Sequence, residues 1–110
     1  MTTTLNAADP YVVVINLFSV EPDKAEQLLK VLCDGTEQAI NKRPGFISAN
    51  FHMAMDKKTV TNYAQWRSRA DIDAMMADAA SRQQLTKAGE LATKVEPVFY
   101  ELRATYMATA

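Results

Sequence analysis

Cysteine and histidine are nearly absent from this chain, one of each in 110 residues. A lone thiol, Cys33, forms no internal disulfide, and a lone imidazole, His52, cannot gather with other histidines and carboxylates into a metal-ligand cluster. Glycine is scarce as well, three in all, and none opens a phosphate-cradling loop. No serine has a histidine partner nearby in sequence. Metal, nucleotide and hydrolytic-triad chemistry are therefore left without support.

An excess of one charge is also missing. Twelve Lys and Arg against thirteen Asp and Glu give a formal net charge of -1, so the basic surface that nucleic acid requires is not expected. No apolar run approaches a membrane span, and the opening MTTTLNAADP has no charged start followed by an apolar stretch, so neither an anchor nor a signal peptide is expected. The cytoplasm is the expected location. With 48% hydrophobic residues and 110 in total, the composition suits one domain with a modest core. Residues 1–9 read as a flexible N-terminal tail and 10–107 as a single domain.

What the chain does have is a clear alternation of periods. YVVVINLFSV, Tyr11 to Val20, is apolar and β-branched almost throughout and predicts a strand buried on both faces, interrupted only by Asn16. The period then becomes helical, with Ala25, Leu28, Leu29, Leu32, Thr36, Ala39 and Ile40 on one side, Asp23 and Glu26 as a capping pair, and RPG as a stop near Arg43. Cys33 is expected on the apolar side, as a small hydrophobe. FISANFHMAM and TVTNYAQW each alternate and are separated by a DKK turn, which predicts a hairpin. Pairing Met55 with Val60 places Met53 opposite Asn62, Phe51 opposite Ala64, Ala49 opposite Trp66, and His52 opposite Tyr63. From Arg69 to about Ala92 the spacing predicts two short helices with a break near DAAS, and EPVFYELRATY predicts a fourth strand. The fold class is α+β: a ferredoxin-like antiparallel sheet with helices on one face.

Helices on one face leave the other exposed. The first strand carries Val12, Val14 and Phe18 on one side but Val13, Ile15 and Leu17 on the other, too apolar a surface to stay wet. A second copy packing sheet to sheet is the simplest cover, so a homodimer is expected.

By strand parity Asn16, Asn62 and Trp66 share the helix-facing side, in a space whose apolar wall comes from Phe18 and Phe51 on strands and from Ile72, Met75 and Met76 on helices. A buried amide without partners costs about 1–3 kcal/mol, so such groups bond to backbone, to water or to a ligand. Either asparagine alone reads as one that closes a bulge or bonds a helix end, and Trp66 alone as core. Together they describe an apolar pocket with a few convergent donors. His52 falls on the opposite face, at a surface or an interface.

The stretches PGFISANFH and VTNYAQWRSRADIDAMM resemble the antibiotic biosynthesis monooxygenase family of dimeric α+β barrels, over about Tyr11 to Tyr106. The resemblance implies catalytic roles for Asn62 and Trp66. It also implies cofactor-independent oxidation by O₂ of a small electron-rich aromatic, an anthrone, phenol or hydroquinone, to a quinone. Ile72 and Thr86 stand where polyketide-oxidising members add a tyrosine and an arginine. Haem-degrading relatives have an asparagine like Asn16, but their iron-binding histidine has no counterpart in SRQQLTKAGELATK. A non-catalytic ligand-binding barrel, or an isomerase-like or cyclase-like member, is the competing reading.

Overall fold

The computed structural model describes residues 2–109. Strand β1 (Val12–Ser19) leads through a 3₁₀ turn at Pro22–Lys24 into helix α1 (Ala25–Gln38). A second 3₁₀ turn, Ile40–Lys42, precedes the hairpin β2 (Phe46–Met53) and β3 (Thr59–Trp66). Helices α2 (Arg69–Ala77) and α3 (Ala79–Leu91) follow, and β4 (Lys94–Tyr100) completes an antiparallel sheet of order β2-β3-β1-β4. The element order and the ferredoxin-like α+β class agree with the pattern of periods in the sequence.

Local chemistry explains the boundaries. Ala25, Leu28, Leu32 and Gly35 make the buried stripe of α1. Gly35 lies so near α3 that a Cβ there would stand 2.8 Å from Cβ of Gln84, so the absent side chain lets the two helices approach. The expected capping pair Asp23 and Glu26 does not form: Pro22–Lys24 turns as 3₁₀ and Lys24 occupies the cap without a side-chain bond. The helix also ends earlier than RPG suggested, at Gln38. Ser68 caps α2 by accepting from the Asp71 N–H. Asp78 takes extended backbone angles, ends α2 and caps α3 through the Ser81 N–H, which fixes the break at DAAS.

The hairpin register differs from the expected one by two residues. Met53, not Met55, pairs with Val60; Phe51 faces Asn62, Ala49 faces Ala64, and His52 faces Thr61 while Asn50 faces Tyr63. The turn is responsible. Asp56 Oδ1 accepts from the Lys58 N–H at 2.9 Å and Lys57 adopts φ 61°, drawing Met55 out of the strand and into full exposure. A two-residue shift preserves parity, so the faces survive. A bulge between Phe46 and Ser48 does change a face: it sets Phe46 opposite Trp66, and the alternation that grouped Ile47 with Ala49 ends there. Cys33 is another correction. It is exposed, because it lies one residue past Leu32 and thus about 100° around the helix from the buried stripe. The fourth strand stops at Tyr100.

Two apolar clusters lie between sheet and helices. Phe18, Val20, Leu28, Leu32, Val60 and Ala88 form one beneath α1 and the C-terminal half of α3. Val14, Ala64, Trp66, Ile72 and Met75 form the other beneath α2. On the far face, Ile15 and Leu17 are only half-buried and Val98 and Tyr100 are exposed. Gln65, buried there, receives a hydrogen bond from Ser48 Oγ and donates one to the Thr4 carbonyl.

Candidate active site

The backbone register builds the site floor in rows that run across the sheet. Phe46 and Trp66 begin it at one end. The next row is Ala49, Ala64, Val14 and Phe99, and the row after that is Phe51, Asn62, Asn16 and Pro97. The amide row therefore falls between the two apolar clusters, where small or polar side chains leave the gap unfilled. A cavity of about 390 Å³ occupies this gap, and every candidate from the sequence lines it: Asn62, Trp66, Asn16, Phe18, Phe51, Ile72, Met75 and Met76. That volume suits a small ligand. Trp66 and Phe18 are buried, the two asparagines are half-buried, and Met76, 49% exposed, stands at the rim.

Asn62 is held in a defined orientation. Its Oδ1 accepts from the Asn50 backbone N–H at 3.1 Å, while Asn50 Nδ2 donates to the Tyr63 carbonyl at 2.9 Å. A backbone N–H can only donate, so the oxygen of the Asn62 amide must face β2. Its Nδ2 remains as the donor for the cavity. Trp66 is fixed by an edge-to-face contact with Phe46, ring centroids 5.4 Å apart at 87°. The turn into β2 supports both rings: Gly45, at φ 84°, accepts from the Arg67 N–H at 2.8 Å and ties the start of β2 to the end of β3.

His52 is exposed on the opposite face and does not reach the cavity. Thr86 is also exposed and does not line it. Among the described residues, no group of three His, Cys, Asp or Glu side chains is placed to hold a metal ion, and no helix is long and apolar enough to cross a membrane. Sequence reasoning missed the polar rim: Arg69, Asp73 and Gln84 all line the cavity. Arg69 lies three residues before Ile72, on the same side of α2, and that spacing was the available signal. It missed Phe46 too, because an alternation rule cannot foresee the bulge.

Fold and cavity together define a ferredoxin-like α+β domain with a mostly apolar cavity between sheet and helices. The antibiotic biosynthesis monooxygenase profile matches residues 11–84. Tetracenomycin-F1 monooxygenase of Streptomyces glaucescens is 36% identical over 107 residues, 97% of this chain and 95% of that protein. The chain belongs to the antibiotic biosynthesis monooxygenase family. Among solved structures, a Streptomyces coelicolor monooxygenase in complex with nanaomycin D superimposes with TM-score 0.83 at 27% identity, over 96% of this chain and 100% of that one. SnoaB, a cofactor-independent oxygenase from Streptomyces nogalater, shares the fold at TM-score 0.77 and 18% identity, over 87% and 96% of the two chains.

Proposed function

We propose that this monooxygenase oxidises a fused, electron-rich aromatic, an anthrone or hydroquinone, to a quinone with O₂ and without a metal or organic cofactor. The observation that carries the reading is the amide row: Asn62, its oxygen tied to Asn50, offers its Nδ2 donor to a mostly apolar cavity that Trp66 also lines. The naming of one relative for tetracenomycin F1, and the nanaomycin D bound to another, favour a polycyclic aromatic.

The chemistry asks little of the protein beyond this. Loss of a proton makes the substrate an enolate or phenolate, whose raised electron density allows one electron to pass to O₂. Recombination gives a peroxide, and its collapse leaves one oxygen atom as the new carbonyl and the other as water. For an anthrone the CH₂ carbon and O₂ become C=O and H₂O; for a hydroquinone a ring C–H and O₂ become the new oxygen-bearing carbon of a hydroxyquinone and H₂O, so atoms and electrons balance in both. The Nδ2 of Asn62 and the Nε1 of Trp66 stabilise the oxyanion by donation, in a site from which the apolar walls exclude water. A second copy covers the apolar far face, where Ile15 and Leu17 lie beside Val98 and Tyr100, so the working form is a homodimer.

The test is oxygen uptake by metal-free and flavin-free protein with a panel of anthrones and hydroquinones, following quinone absorbance. Uptake above background that Asn62→Ala/Trp66→Phe abolishes supports the reading. Absence of uptake across the panel leaves a ligand-binding barrel.

A further inference from the structure

On its β4 side the cavity rim carries a group that the oxidation does not use. Arg69, the first residue of α2, places its guanidinium carbon 3.7 Å from the centroid of the Phe99 ring. Phe99 stands on an edge strand, opposite Val14, so the Arg69 side chain reaches β4 at the row next to the two asparagines. Among the described residues, Arg69 is the one cation that lines the cavity.

Its surroundings fit it to recognise an anion. The contact with the Phe99 ring positions the guanidinium without occupying its N–H donors. Asp73, one turn along α2, meets Nε at 3.5 Å. Both side chains are mostly exposed, 60% and 68%, and such pairs are weak in water. That contact leaves the terminal Nη1 and Nη2 fork unspent, and a carboxylate matches the fork with two parallel hydrogen bonds. The position also suits a remote substituent. Asn62 on β3 and Phe99 on β4 are two strand spacings apart, roughly 10 Å, and one row apart along the strands.

We propose that Arg69, in contact with the Phe99 ring, binds a carboxylate at the end of the substrate remote from Asn62 and Trp66, so that the substrate class is carboxylated fused aromatics. The proposal rests on the cavity being the substrate site. Asp73 is its internal competitor: it holds the guanidinium in the empty site and is displaced when the substrate anion arrives.

The experiment titrates the intrinsic fluorescence of Trp66 with two probes, anthraquinone-2-carboxylate and 2-methylanthraquinone. The carboxylate should bind the unaltered protein about tenfold more tightly, the lower end for hydrogen bonds to charged groups. Arg69→Ala should remove that advantage while leaving the methyl probe within about twofold, and Asp73→Asn should increase it, as only loss of a competing anion would. Circular dichroism checks that each variant folds. Equal affinity of the two probes for the unaltered protein, or equal weakening of both by Arg69→Ala, overturns the proposal and leaves the cavity reading intact. If neither probe quenches Trp66, the cavity reading and the proposal fall together.

Discussion

In the proposed mechanism the two ends of the Asn62 amide have separate tasks, and a pair of substitutions separates them. Asn62→Ala removes both the acceptor for the Asn50 N–H and the cavity donor. The lost bond is half-buried on an edge strand, where water can reach the freed N–H, so the stability cost is about 1 kcal/mol. For a domain of this size that corresponds to a fall in Tm of roughly 4–8 °C. Loss of the oxyanion donor should lower the rate by about 10²–10³, an effect several kcal/mol larger than zero and independent of folding.

Asn62→Asp keeps the acceptor and exchanges the donor for a carboxylate oxygen. Assayed near pH 8, where an aspartate is ionised, it should retain the bond from Asn50 but lose at least as much rate as the alanine variant, because a fixed anion opposes the developing one. The assay is quinone formation from an anthrone, with Tm from circular dichroism for the same preparations. An aspartate variant with more than about a tenth of the parent rate would refute the donor role. An alanine variant that loses stability at full rate would make the amide purely structural.

The other expectations concern the frame around the site. Gly45→Ala should cost about 2 kcal/mol or more in urea unfolding, since a side chain at φ 84° is strained and its Cβ would overlap the Asp71 carboxylate; an unchanged midpoint would contradict this. Asp78 lies below the ordinary carboxylate range because the Ser81 side chain and backbone donate to it and Arg43 is nearby. A folded pKa below the unfolded one stabilises above the unfolded value and is lost as pH falls through the folded value, so Asp78→Asn should flatten the acid limb of Tm against pH below about pH 4; a parallel limb would refute the coupling. Partial burial, and then the Asp34 charge, push the Cys33 thiol up, so although exposed it should be alkylated by iodoacetamide with a midpoint above the ordinary thiol pKa of about 8.5. A midpoint at or below that value would contradict it.

Much of this site was legible because side-chain parity tolerates error. The hairpin register read from the sequence was off by two residues, yet Asn62, Trp66 and Phe51 fell on the correct face, since a shift of two returns each side chain to the same side. What parity cannot supply is an irregularity. The bulge that carries Phe46 to Trp66, and the exposed Asp56 and Lys57 turn that ejects Met55, depend on local backbone geometry that residue periods do not encode. Cys33 and Arg69 illustrate the helical counterpart. The helical pattern was read as placing Cys33 on the apolar side, although one helical step past Leu32 turns it to solvent. The same emphasis on apolar residues passed over Arg69, whose stem and ring contact place a charge at the cavity.

The existence of the cavity follows from how the helical segment after β3 is divided. Uninterrupted from residue 69 to 91, that segment would be one straight rod of roughly 35 Å, at 1.5 Å per residue, lying across the sheet. Asp78 prevents this by capping the second helix with the side chain that ends the first. Ile72 and Met75 of α2 then pack with Trp66, while Ala88 and Leu91 of α3 pack with the Leu28 and Leu32 side of α1. The two clusters are distinct, and the Asn62 and Asn16 row between them faces the cavity. An ordinary core would fill such a gap, because unfilled space and half-satisfied amides both cost stability. Here Ala49 and Ala64 widen it, and the donor geometry of Asn62 is fixed by a bond from the neighbouring strand. The arrangement is intelligible as a site in which a ligand completes the packing and uses the donor, and the same division of helices that opens the gap brings Arg69 to its rim.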